Sequence, residues 1–374
     1  MDKRRIELLD GFRFIAILCV LLYHYTNKWV DFYPYGNFFR HIFSFGFLGV
    51  QFFFMISGFV ISYTLENTNS LLAFFRNRIA RLFPPMLLCA IITWLLALAL
   101  DNQYLFPHAH QPKNFLPSLT FINPEIFSLT TKKDFSWISG SYWSLWVEVQ
   151  FYAIASVLYF LNKKNFFRNM LLVGIAISLE KYIPIFLLQW QQQNVFSGSC
   201  IVALSRWKHM NELLNISFFI EWFLAGVIIF HLYKGINIIR NTYSGICAAT
   251  VLFCLLLHIR AFNTGYFYAV FFATLIMIGL FLLMIYRKKY LFFLQSSLLS
   301  RIGVISYSIY LIHEVNGVLL INIFGGYLGK LSMLSPLIVI ILMICFAELS
   351  YRFYERKAGL VLKKIFNGLI GARA

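Results

Sequence analysis

Arg13 and His24 stand eleven positions apart in the first long apolar run of this 374-residue sequence. At about 100° per residue they return to nearly the same helix face, and at about 1.5 Å per residue they lie roughly 16 Å apart along it. One face of one helix would then carry a guanidinium near one membrane surface and an imidazole deep toward the other. A charged group at the centre of a bilayer costs about 2.5 to 3.5 kcal/mol on insertion scales, so each needs a partner, a wet cavity or a task. Glu148 sits in a later apolar run that, counted inward from Tyr142, reaches about the depth of His24. A carboxylate and an imidazole at one depth can make a general base, the carboxylate fixing the tautomer and stabilising the imidazolium. The same pair can equally be a hydrogen bond that joins two helices.

Arg76, Arg78 and Arg81 cluster just before Leu82-Phe83-Pro84-Pro85. The prolines suit the start of a helix, and three guanidiniums at a helix N-terminus would hold phosphate by charge, dipole and paired donors. Ordinary anchors of a cytosolic loop would look the same. His313 and Glu314 are adjacent, so only one of them can face a given neighbour squarely and they are expected to serve different partners. Ser57 offers a hydroxyl beside Gly58, which permits close helix approach. Glu221, His231, His258 and Glu348 are each isolated in apolar runs and read as interhelical contacts. Glu180 and Lys181 would neutralise one another or mark a wet kink beside Pro184.

The elements that must position these groups follow from composition. Hydrophobic residues make up 60% of the chain and charged ones 13%, far below the roughly 25% of soluble domains. The chain is therefore read as all-α, a polytopic membrane helical bundle of about ten transmembrane helices, with runs near 11–29, 42–65, 84–100, 142–161, 170–190, 216–233, 243–259, 266–286, 302–323 and 334–354. The formal charge of +17 would suggest nucleic acid in a soluble protein, but here the basic residues fall between apolar runs. With the N-terminus cytosolic, 21 of them lie on the inner side and nine on the outer, which predicts cytosolic N- and C-termini. The first run follows Lys3, Arg4 and Arg5 without a cleavage pattern and reads as a permanent helix. Six scattered cysteines show neither metal-ligand spacing nor a disulfide framework. The expectation is one transmembrane domain over residues 1–374 with no appended soluble domain. The long outer linkers, 101–141 and 191–215, could form a lid or acceptor platform.

Several of these pieces together resemble the acyltransferase 3 family of bacterial membrane O-acyltransferases. The resemblance covers nearly the whole chain and rests on Asp10-Gly11-Phe12-Arg13 with His24, Ser57-Gly58-Phe59, Arg76-x-Arg78 with Arg81-Leu82-x-Pro84, Trp143-Ser144-Leu145 with Glu148, Tyr310-Leu311-Ile312-His313, and Tyr354-Glu355-Arg356. Two positions depart from the family pattern: Val149 stands where a second acid often follows Glu148, and Lys357 replaces a frequent proline. The resemblance implies a multi-pass protein of the bacterial inner membrane that moves acetyl from cytosolic acetyl-CoA to a sugar hydroxyl of a surface or lipid-linked glycan. His24 and Glu148 would be catalytic, Arg13, Arg76, Arg78 and Arg81 would bind the donor, and Asp10, Ser57, Trp143, Ser144 and His313 would support them. Acetyl-CoA would be a substrate, with no permanently bound cofactor and no metal. A secondary transporter or flippase of an acyl donor or glycan precursor is the competing expectation, since intramembrane His, Glu and Arg also serve relays; the lack of an inverted repeat weighs against it.

Overall fold

The computed structural model describes residues 6–40, 42–184, 187, 198–236, 242–261 and 267–371. Lys3, Arg4, Arg5, Arg240 and Arg373, counted in the sidedness argument, lie outside the described residues, as do the side chains of His258 and Arg260 and most of 185–197. In chain order the α-helices are α1 (Glu7–Tyr23), α2 (Leu48–Glu66), α3 (Leu71–Leu100), α4 (Phe115–Thr120), α5 (Pro124–Thr131), α6 (Trp143–Leu161), α7 (Phe166–Glu180), α8 (Gly198–Leu214), α9 (Ile220–Tyr233), α10 (Thr242–Ala261), α11 (Phe267–Tyr286), α12 (Ser297–Leu328), α13 (Ser335–Ser350) and α14 (Arg356–Gly371). The described residues include no strand.

Among the described residues, six stretches are long and apolar enough to cross a membrane: Glu7–Lys28, Leu48–Glu66, Leu71–Leu100, Gly140–Leu161, Phe267–Tyr286 and Ser297–Gly368. The chain is a multi-pass, all-helical membrane protein. Six is fewer than the ten runs read from the sequence, for two physical reasons. The runs at 302–323 and 334–354 both fall inside Ser297–Gly368, where helix follows helix without a break in apolar character. The runs at 170–190 and 216–233 give shorter elements, α7 of 15 residues and α9 of 14, whereas the run at 243–259 falls within the 20-residue α10, several of whose side chains lie outside the described residues.

By its internal contacts the chain divides into two compact units. The first comprises Met1–Val50, Leu72–Ser144 and Lys289–Ala374, the second Gln51–Leu71 and Leu145–Lys288. In the first, α12 is the spine. Its 32 residues extend about 48 Å, more than the roughly 30 Å hydrocarbon core, so it can carry groups at both depths. Helices α1 and α13 pack along it. Close approach of α1 depends on Gly303, where a methyl group would run into the Asp10 backbone. Gly303→Ala is expected to lower stability by about 1–3 kcal/mol through overpacking. Gly326→Ala, at a position of the same helix with open space around it, should change it by less than about 1 kcal/mol. Melting midpoints of the two variants in detergent check this; equal midpoints would show that the α1–α12 approach is not tight.

Helix α3 corrects the reading of its arginines. It starts at Leu71, so Arg76, Arg78 and Arg81 lie within the helix and Pro84 and Pro85 sit inside it, not at its start. The guanidiniums therefore gain nothing from free N-terminal N–H groups. The prolines instead strip the Ala80 and Arg81 carbonyls of their helical donors.

In the second unit, Phe54, Phe223 and Phe151 stack with centroids 4.6 and 4.3 Å apart, and Gly58 meets the Phe223 backbone. Lys181 does not neutralise Glu180. It pairs with buried Glu221 at 2.5 Å, which also accepts from Ser178, while Glu180 accepts from Trp207. Breaking one partner of such a buried pair leaves an uncompensated charge, so the pair fixes α7 against α9. His231 stacks on Phe167 at 3.8 Å, a packing contact. Glu348, in the first unit, pairs with Arg301 and Arg352.

Candidate active site

His24 stands where α1 passes into a five-residue π-helical turn, His24–Lys28. Such turns widen the helix and leave carbonyls outside the regular ladder, often at functional sites. Three tyrosines make hydrogen bonds to buried carbonyls at and beside the turn. Tyr33 Oη donates to the His24 carbonyl at 2.9 Å, Tyr35 Oη to the Tyr25 carbonyl, and Tyr25 Oη to the His313 carbonyl on α12 at 3.0 Å. The turn is thus tied to its own loop on one side and to the spine helix on the other.

The His24 side chain is 10% exposed. Its Nδ1 lies 2.9 Å from the Val20 carbonyl, which can only accept, so Nδ1 carries the proton in the neutral ring. Nε2 is left with the lone pair, 3.7 Å from Oε1 of Glu314. That carboxylate is 1% exposed and held from both ends: Oε1 accepts from Lys28, and Oε2 from the Ser141 backbone N–H and from Ser139 Oγ at 3.2 Å. His313, wholly buried, places its ring 4.6 Å from that of His24 at 87°. Its Nδ1 donates to the Tyr310 carbonyl at 2.6 Å, and its Nε2 has no partner among the described residues. His313 and Glu314 therefore share His24 as a neighbour, contrary to the expectation of wholly separate partners, because the π turn presents a broad face to α12. Ser144 Oγ and Tyr310 Oη lie 2.7 Å apart, and Tyr310 donates to the Ser141 carbonyl at 2.8 Å, which pins the 139–144 turn to α12.

Glu148, the carboxylate that depth counting paired with His24, belongs to the second unit. There its Oε1 accepts from Ser57 Oγ and Tyr152 Oη, both at 2.5 Å. Within its own unit, His24 has Glu314 beside it. Trp143 is partly buried at the first turn of α6. Asp10, 2% exposed, pairs with Arg13 at 2.7 Å, so that guanidinium is already matched by a carboxylate.

The other arginines gather elsewhere in the first unit. Arg78 and Arg81 line a cavity of about 410 Å³ with Tyr307, Ser308, Glu355 and Arg356. Arg76 donates to the Asn367 side chain on α14. Sequence reasoning underused Lys28, Glu314 and the tail cations. Lys28 could have been found from its i+4 spacing to His24; the tail residues were absorbed by the sidedness count, which carries no information about cavities.

An all-helical multi-pass protein with a tautomer-fixed buried imidazole beside a carboxylate, and a cationic cavity on the same spine helix, has the parts of a membrane-embedded group-transfer enzyme. The chain belongs to the acyltransferase 3 family: it matches that family's acyltransferase domain over residues 6–352. It is 26% identical to the O-acetyltransferase OatA of Staphylococcus aureus strains NCTC 8325 and COL, over 94% of this chain and 57% of the relative. A further protein of strain COL, named as an O-acetyltransferase by inference, is 25% identical over 96% of this chain and 58% of its own length. The chain thus spans little more than half the length of the curated relatives it matches. No solved structure matches it significantly.

Proposed function

We propose that the protein is an O-acetyltransferase of the bacterial inner membrane, taking acetyl from cytosolic acetyl-CoA to a sugar hydroxyl of a surface or lipid-linked glycan. The observation that carries this reading is His24 with its proton fixed on Nδ1 and its lone pair on Nε2 beside Glu314. His24 Nε2 takes the proton of the acceptor hydroxyl as that oxygen attacks the thioester carbonyl; the carbon–sulfur bond breaks, the thiolate leaves, and the proton passes to it, giving an ester and free CoA thiol. Glu314 stabilises the imidazolium that forms between these steps, and Lys28 keeps the carboxylate in place. Arg78 and Arg81 bind donor phosphates at the cavity, where charge-assisted and bidentate bonds favour arginine. Ser308 at that cavity and His313 at the base are five residues apart on α12, about 7.5 Å along its axis, so one donor molecule can span both. The names of the Staphylococcus aureus relatives support acetyl as the group and oxygen as its acceptor.

Cells expressing the chain should carry surface glycans heavier by whole acetyl groups than cells lacking it, and mild base should remove the difference. Purified protein given acetyl-CoA and a glycan acceptor should release CoA thiol. Unchanged glycans together with no thiol release would overturn the reading in favour of transport.

A further inference from the structure

Helix α14 begins at Arg356, beyond residue 352, where the domain match ends; only its first two residues bear on the family pattern, and Lys363 lies outside it. Arg356 and Lys363 are seven residues apart, two helical turns, and both line the 410 Å³ cavity with Arg78 and Arg81. Between them Gly359 is buried, and a methyl group there would press on the Ala80 carbonyl, one of the two that the α3 prolines leave without a helical donor. Arg76 bonded to Asn367 ties the far part of α14 to α3. Four cations thus line one cavity with a single carboxylate, Glu355, which is already engaged by Ser308 at 2.7 Å and Ser350 at 2.5 Å. Arg81, Arg356 and Lys363 make no ion pair among the described residues. Three such cations around one partly open cavity repel one another, and an anion bound there would relieve that repulsion. Tyr307 and Tyr351 also line the cavity and offer rings on which a purine can stack, which suits a nucleotide better than a phospholipid headgroup.

We propose that α14 is part of the donor site, with Arg356 and Lys363 closing the cavity over the phosphates of the acyl-CoA opposite Arg78 and Arg81. This rests on the donor reading above and adds to it two ligands C-terminal to the matched domain, residues 6–352. Lys357 and Lys364, turned about 100° away on the same helix, face outward and do not belong to the site.

The test titrates CoA against the full chain in phosphatidylcholine nanodiscs. Arg356→Gln and Lys363→Gln should each raise the Kd roughly ten- to hundred-fold, as should Arg81→Gln, while Lys357→Gln and Lys364→Gln stay within about twofold. Adding phosphatidylglycerol should leave the parent Kd within about twofold, because the headgroup is not the occupant. If Arg81→Gln weakens CoA binding and the two α14 variants do not, α14 is no part of the site and the donor reading survives. If none of the three matters, the cavity is not the donor site at all. A steep loss of CoA affinity with phosphatidylglycerol that the α14 variants relieve would give the cavity to lipid and overturn the proposal. Both residues are exposed, and matching melting midpoints would separate lost binding from lost folding.

Discussion

Replacing His24 by alanine is expected to lower acyl transfer by about 10²- to 10⁴-fold, the usual worth of a general base, or about 2.7 to 5.4 kcal/mol of barrier. Donor affinity should stay within about twofold, because no proposed donor ligand touches the imidazole. The fold should survive. Removal of the ring leaves Glu314 still paired with Lys28 and bonded by Ser139 and Ser141, so no buried charge is orphaned. The tyrosine bonds around the π turn go to backbone carbonyls, which alanine retains. Initial rates of thiol release, CoA titrations and melting midpoints of the same preparation check the three statements together. A well-folded His24→Ala protein within tenfold of the parent rate would remove His24 from the chemistry.

How far the sequence revealed this site depended on the kind of information each step needed. That Arg13 and His24 belong to a first apolar span follows from the run of apolar residues around them, and the span Glu7–Lys28 is there. Its ending as a π turn does not, because nothing in His-Tyr-Thr-Asn-Lys distinguishes that turn from an α-helical one until Tyr33 and Tyr35 fold back on it. The helix holding the arginines was misplaced because Pro84 and Pro85 read as a start signal; Ser70, a residue of N-cap type directly before Leu71, was the better one. Pairing His24 with Glu148 came from counting depth along the membrane normal, which leaves the direction around each helix axis open. The packing of α1 along α12 settles that direction for His24 and brings Glu314 to it. Lys181 with Glu221 was invisible for the same reason: the pair joins residues forty positions apart on different helices, and no local pattern encodes it.

Glu314→Gln is expected to lower the transfer rate by about 10²-fold, about 2.7 kcal/mol. The loss should be smaller than in hydrolases where the carboxylate itself sets the tautomer, since here the Val20 carbonyl does that and remains. What disappears is the stabilisation of the imidazolium. At 3.7 Å two unit charges interact by about 4 to 5 kcal/mol at an effective dielectric of about 20, and Lys28 on the same oxygen cancels part of it. The amide also leaves Lys28 without a counter-charge beside His24, which opposes protonation of the ring further. Adding Lys28→Met to Glu314→Gln should therefore restore stability, by removing the unpaired cation, but return only part of the rate. Comparing kcat with donor Kd for both variants separates the effects, because a merely structural carboxylate would give back activity together with stability. Glu148→Gln is the comparator from the other unit. A loss of 10²-fold there with a parent-like Glu314→Gln rate would assign the orienting carboxylate to Glu148, and the hydrogen bonds from Ser57 and Tyr152 would then be what holds it ready.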